Sequence, residues 1–340
     1  MCEISSVDIS NSGQSFGITL QHSVQMYSIN PVKRLFVKDF VNCTVTHIST
    51  IDDGSIIAFS TKNTTPIMHQ HKVFIWNCKS NKTISELSFD EEVLSLFLSH
   101  QFLVAILFNS VVIYDIKQHK TQCEQVTYEN RRGSADLIES DRPLIAICGL
   151  QIGSVHVSEI LSSNQKSSSD PDLSDLKDYD VIGLKSMNSK DSSSIIIQAH
   201  SHPLAIIKFS PDGSLIATSS EKGTVIRIFD AFTGNHLSTF RRGAIPSNVL
   251  ALCFSPSNSE LIAISDNGTV HLFPADVKNG NPLDPPRSVV KLKIEKGIYV
   301  KAVFQSDEEL YIVSSSGHLY QITCSANSLE LVEKIFILLH

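Results

Sequence analysis

The sequence is poor in charge and in aromatic side chains. Only 19% of its residues are Asp, Glu, Lys or Arg, 7% are aromatic, and Trp76 is the single tryptophan. It has no basic excess. The net charge is -7, so no global positive field draws the chain to nucleic acid or to an anionic bilayer, and any anion binding must come from a local cluster. No apolar run reaches the roughly 18–20 residues that cross a membrane. The longest stretch, 94–108, is broken by Ser99, His100 and Gln101. No CxxC occurs among the seven cysteines (2, 43, 78, 123, 148, 253 and 324), an odd, scattered set that reads as reduced thiols in a cytosolic protein. The opening MCEISSVDIS lacks both the basic and the apolar region of a secretory signal and is not read as one. A nucleophile elbow, a phosphate-cradling glycine loop and paired acids in a recognisable context are also missing, so no enzyme and no cofactor is expected.

What the chain does have is a repeat. Residues 209–224 read FSPDGSLIATSSEKGT and residues 254–269 read FSPSNSELIAISDNGT, with every matched position 45 residues apart. A period of about 40–45 with short alternating strands is the pattern of β-propeller blades. One strand per blade should end in an aromatic or β-branched residue. The candidates are Tyr27, Trp76, Tyr114, Val157, Phe229, Phe273 and Tyr320, spaced by 49, 38, 43, 72, 44 and 47 residues. The reading is all-β: residues 1–340 form a single seven-bladed propeller of divergent WD-type repeats, with Trp76-Asn77, Tyr114-Asp115 and Phe229-Asp230 where strict repeats carry Trp-Asp. A two-domain β-sandwich would leave the regular spacing unexplained. The one long step is accounted for by residues 161–194, of which 17 of 34 are Ser or Asp, and which read as a disordered insertion between blades four and five. Segment 274–288 reads as a short, polar loop of blade six.

One motif carries chemistry. Phe240-Arg241-Arg242-Gly243 sets two arginines side by side. Neighbouring strand residues point to opposite sides, so the guanidinium groups should diverge, one toward blade five and one toward blade six. Each can fork onto a phosphate with two charge-assisted hydrogen bonds. Gly243 is expected to allow a sharp turn. The repeat supplies partners: His200, Ser219, Ser220, Thr224 and Arg227 around Arg241, and Ser247, Ser265, Thr269 and His271 around Arg242. A second pair, Arg131-Arg132-Gly133, lacks the preceding Phe and the SxxGT context and reads as a surface turn. The HxH pairs His69/His71 and His200/His202 have no Cys, Asp or Glu cluster to complete a metal site, so no metal is expected. If His200 and His271 are imidazolium cations that contact phosphate, binding should weaken between roughly pH 6 and 7.5.

FRRG after the run IIIQAHSHPLAIIKFSPDGSLIATSSEKGTVIRIFDAFTGNHLST resembles the PROPPIN family, the WIPI-like phosphoinositide-binding propellers. Residues 56–89 and 91–116 look like that family's second and third blades. The resemblance implies binding of phosphatidylinositol 3-phosphate and 3,5-bisphosphate at two sites. His200, Ser219, Ser220, Thr224, Arg227 and Arg241 would form the first; Arg242, Ser247, Ser265, Thr269 and His271 the second. It further implies a monomeric, peripheral adaptor on autophagosome-precursor, endosomal or vacuolar/lysosomal membranes. Such an adaptor recruits lipid-transfer or conjugation machinery of autophagy, here through Thr61–Lys72 and the blade-three surface. Where many members carry an acidic residue after FRRG, this chain reads Ala244-Ile245-Pro246. Its 274–288 loop offers only Val277 and Leu283 as sizeable apolar groups, so insertion into the bilayer should be shallow. The other reading is a lipid-independent scaffold whose arginines grip an acidic peptide.

Overall fold

Period-two alternation puts Ile216 and Phe229 on one side of a sheet and their neighbours Ala217 and Ile228 on the other, and all four are buried. A strand buried on both faces must sit between two other layers, which is the position of every blade in a closed ring. The computed structural model describes residues 3–41, 43–63, 71–161, 194–275 and 285–337, and among these there is no α-helix. The strands form seven four-stranded antiparallel sheets, each a meander of consecutive strands. Blade one runs from Ile4 to Asp39, two from Cys43 to Phe89, three from Ser95 to Val126, and four from Ala135 to Gln198. Blade five runs from Leu204 to Arg241, six from Val249 to Lys293, and seven from Val300 to Phe336. The molecule is the seven-bladed propeller that the repeat predicts. Each of the seven spacing markers stands on the third strand of a different blade.

The Ser/Asp-rich insertion has a different place from the one expected. Ser154–Glu159 pairs with Ile195–Gln198, so both flanks belong to blade four, and the insertion joins two strands of one blade rather than two blades. Its residues 162–193 lie outside the described ones. The same holds for 276–284 of the blade-six loop and for 64–70 of the expected docking loop, His69 included.

Neighbouring blades are held by apolar side chains and, near the central axis, by a recurrent clasp. A polar side chain on the first strand of one blade accepts a backbone N–H from the first strand of the next. Asp8 Oδ2 accepts from Thr50 N at 2.8 Å, Ser49 Oγ from Leu98 N at 3.1 Å, and Asp136 Oδ2 from Phe209 N at 2.8 Å. Lys208 Nζ closes on the other Asp136 oxygen at 3.1 Å. Among the described residues the ring shuts without a shared strand. Ile4, Val7, Phe16 and Tyr27 of blade one pack directly on Val303, Tyr311, Val313 and Leu319 of blade seven.

Candidate functional site

The third and fourth strands of blade five, Val225–Asp230 and His236–Arg241, pair with Ile226 opposite Phe240 and Arg227 opposite Thr239. Ile226 and Phe240 belong to the core shared with blade six. Thr239 and Arg227 therefore face blade four, and alternation puts Arg241 on their side. Arg242, one residue on, turns toward blade six. The divergence read from the strand period is present: one arginine serves the cleft between blades four and five, the other the cleft between five and six.

The first cleft gathers His200, Thr218, Arg227 and Arg241. His200 Nε2 lies 3.0 Å from Thr218 Oγ1, and the Arg227 guanidinium donates to Ala199 O. Arg241 is exposed, and among the described residues its side chain has no hydrogen-bond or salt-bridge partner. Ser220, buried at the end of the second strand, closes the turn by accepting Gly223 N on its carbonyl at 2.8 Å. Thr224 acts through its backbone, taking Arg242 N at 2.9 Å on its carbonyl. Ser219 does not join this cleft. It pairs with Ile226 on the blade-six side, is fully buried, and donates to Val225 O at 3.2 Å.

The second cleft is built around a buried Arg242. Its Nε donates to Gly223 O at 2.7 Å and its Nη2 to Ile245 O at 2.7 Å and Ser247 O at 3.3 Å. The stretch Ala244-Ile245-Pro246 thus holds the guanidinium with a main-chain carbonyl where a side-chain carboxylate is lacking. Burial lowers the Arg242 pKa, against the attraction of Asp266. Ser247 Oγ donates to the Asp266 carboxylate, which also takes Asn248 N and Nδ2 at 3.1 and 3.0 Å. Thr269 Oγ1 donates to Asn267 Oδ1 at 2.7 Å within its own turn. His271 Nδ1 lies 3.2 Å from Ser288 Oγ, while His271 Nε2 and Ser265 Oγ are buried without a partner among the described residues.

Two glycines explain the SxxGT pattern. Gly223 (φ 61°) and Gly268 (φ 75°) are left-handed, and a Cβ on either would stand 1.9 Å from Ser247 O or 2.4 Å from Ile294 O. Only glycine admits the next blade's lead so close. Gly243 has no such role: the chain does bend just after it, at Ala244-Ile245, but its φ is not positive and nothing lies within 4 Å of a Cβ built there, so the bend does not require glycine. Arg131-Arg132-Gly133 is a surface turn, with Arg131 bonded to Glu129 at 2.9 Å.

Four residues of the second cleft and its rim were not foreseen. Arg287 bridges Arg241 in parallel, and Arg241 N donates to Pro286 O at 2.8 Å, which fastens the chain before blade six's fourth strand onto FRRG. Ser288 follows against His271. On the fourth strand, Val290–Lys293, Lys291 stands opposite His271 and Lys293 opposite Thr269. The alternation in VKLK was the available signal, but only the pairing register shows which cleft it lines.

Both histidines are neutral. Burial, then Arg227, pushes His200 down to about 3; burial, then Lys291, Arg242 and Lys293, pushes His271 down to about 4. The loss of binding expected between pH 6 and 7.5 does not follow for residues that carry no proton there. The consequence falls on stability instead. His47, in the first strand of blade two, is also pushed down to about 4, chiefly by burial. Below 6.5 the unfolded chain takes up protons that these three native imidazoles refuse. Their stabilisation is complete above pH 6.5 and is lost as pH falls toward 4. At about 1.4 kcal/mol per unit, going from pH 7 to 5 should remove about 2 kcal/mol per histidine. Thermal unfolding followed by circular dichroism at the two pH values measures it, and equal Tm values would contradict it.

Comparison with known proteins places this arrangement. A family model described as PROPPIN matches residues 160–292. Autophagy-related protein 18 of Aspergillus fumigatus is 30% identical over 239 residues, which cover 68% of this chain and 52% of that protein. The chain spans about half the length of the curated relatives it matches. Among solved structures, Hsv2 of Kluyveromyces marxianus superposes with a TM-score of 0.75 at 17% identity, covering 99% of both chains. A complex of KlAtg21 with the coiled coil of AgAtg16 gives 0.72 at 19% identity, covering 98% of this chain and 99% of that one.

Proposed function

The chain belongs to the PROPPIN family, and from that premise we propose that it is a non-enzymatic phosphoinositide effector. It would bind phosphatidylinositol 3-phosphate and phosphatidylinositol 3,5-bisphosphate in the two clefts flanking FRRG. It would act as a monomeric adaptor, peripheral on autophagosome-precursor, endosomal or vacuolar/lysosomal membranes. The observation that carries this reading is the split of one arginine pair between two donor-lined clefts at one edge of the ring. The propeller then stands edge-on against the bilayer with both clefts toward the leaflet. A single headgroup is held weakly, whereas two on one membrane gain roughly 10²–10⁴-fold in avidity. With a net charge of -7, bulk attraction to anionic lipid is slight and selectivity rests on the clefts. The partner would come from the autophagy machinery for lipid transfer or conjugation. This is supported by the relatives' shared name and by the structural neighbour that holds a coiled coil of AgAtg16.

The test is flotation of the protein with vesicles that carry each phosphoinositide isomer in turn. Retention confined to 3-phosphorylated lipids is expected. Retention on every anionic vesicle alike, or on none, would leave the lipid-independent scaffold as the reading.

A further inference from the structure

The two clefts differ in what they leave unsatisfied. In the first, the His200 ring nitrogen is bonded to Thr218 and Arg227 is bonded to a carbonyl. In the second, Ser265 Oγ and His271 Nε2 are almost completely buried and bonded to nothing among the described residues. A buried polar atom is seldom left unbonded, and two at one cleft point to a ligand that supplies the missing partners.

The clefts also differ in charge. Arg227 and His202 bear on His200, with Arg241 exposed at the mouth of that cleft, whereas three cations, Lys291, Arg242 and Lys293, bear on His271. Arg242 is already committed to three carbonyls. The free donors therefore come from the fourth strand of blade six. Lys291 and Lys293 are both exposed and alternate with Val290 and Leu292, so both stand on the His271 and Thr269 side. Lys293 Nζ reaches Asn267 O at 3.2 Å, and Lys291 has no side-chain partner among the described residues.

We propose that the cleft between blades five and six is the bisphosphate pocket, in which Lys291 and Lys293 read a second phosphate on the inositol ring, while the cleft at Arg241 takes a ring with one. This rests on the phosphoinositide reading above and divides its two ligands between its two sites. An ammonium group needs no fixed approach direction, so two of them on a strand edge can follow a phosphate on the far side of the ring from the one held deeper in the cleft.

Calorimetric titration with soluble short-chain phosphatidylinositol 3-phosphate and 3,5-bisphosphate tests it, using wild type, Lys291→Ala/Lys293→Ala, Lys291→Ala and Lys291→Arg. The double variant should lose roughly 10–100-fold in affinity for the bisphosphate, the loss that one or two charge-assisted contacts convey. Its affinity for the monophosphate should stay within about twofold, which also reports that it is folded. Lys291→Ala should show part of the same selective loss, and it carries the test alone should the double variant not fold. Lys291→Arg should retain bisphosphate binding. Equal losses for both headgroups, or no loss, overturn the division between clefts and leave the phosphoinositide reading standing. A wild type that binds neither headgroup overturns that reading and this one together.

Discussion

Arg241→Ala should release the protein from vesicles carrying phosphatidylinositol 3-phosphate while leaving its thermal unfolding unchanged. The side chain is exposed and makes no bond within the described structure, so nothing in the fold depends on it. Its setting also argues for an anion. The backbone bridge to Arg287 brings two guanidinium-bearing residues together, without a carboxylate partner for either among the described residues. Like charges so placed repel, and a phosphate between them would turn that repulsion into attraction. Removing one site converts two-point attachment into one-point attachment. The apparent affinity should fall by about 10²-fold or more on vesicles that carry both lipids, while soluble 3,5-bisphosphate, held in the other cleft, keeps its affinity within about twofold. Flotation beside circular dichroism measures both quantities. A fall in Tm matching the fall in binding would show Arg241 to be structural after all.

Arg242→Ala should fail in the opposite order, in the fold first. The guanidinium is buried and ties Gly223, Ile245 and Ser247 into one knot. Those carbonyls join the SxxGT turn of blade five to the connection that enters blade six. At about 1–1.5 kcal/mol for each, the loss comes to about 3–5 kcal/mol. With unfolding entropy of roughly 2.1 cal/mol/K per residue, this lowers Tm by about 4–7 °C. Lysine should rescue little, because one ammonium cannot span a fork of three acceptors. Differential scanning calorimetry of the two single variants separates their roles, and a Tm for Arg242→Ala within about 1 °C of wild type would refute the knot. One practical point follows: a double arginine variant mixes lost binding with lost stability, so Arg241→Ala is the cleaner probe of the lipid.

These roles show where one-dimensional information ends. The 45-residue offset between FSPDG and FSPSN, with one aromatic or β-branched residue closing a strand in each blade, was enough to count blades. Every blade repeats the same period-two burial on both faces, so the signal accumulates. The divergence of Arg241 and Arg242 was legible for the same reason, since adjacent strand residues must part. Ser219 was assigned to the wrong face because the SS dipeptide at 219–220 has one residue on each side of the sheet, and only the pairing of Ser219 with Ile226 tells which. The insertion was assigned to the wrong junction because the 72-residue step says how much chain is extra, and not whether the short IIIQ strand comes before or after it. Arg287, Lys291 and Lys293 were missed because they follow a loop, and register after a loop is set by partners distant in sequence. Whether His200 and His271 are cations is not legible in the sequence, because burial, which keeps them neutral, belongs to the packed blades and to no local motif.

The seam between the first and last blades has its own consequence. Most propellers that share a strand across their closure are fastened there like a buckled belt. This ring is closed like a bent leaf spring whose tips press together, Phe16 and Tyr27 against Tyr311 and Val313, with an ion pair from Lys301 to Asp8 across them at 3.9 Å. Pulled from Ile4 and Phe336, it has no shared strand at the joint to shear. It would part at that face and then shed blades one at a time from either tip, so the two clefts, between blades four and five and between five and six, each at least one blade in from a tip, stay closed until the outer blades have gone.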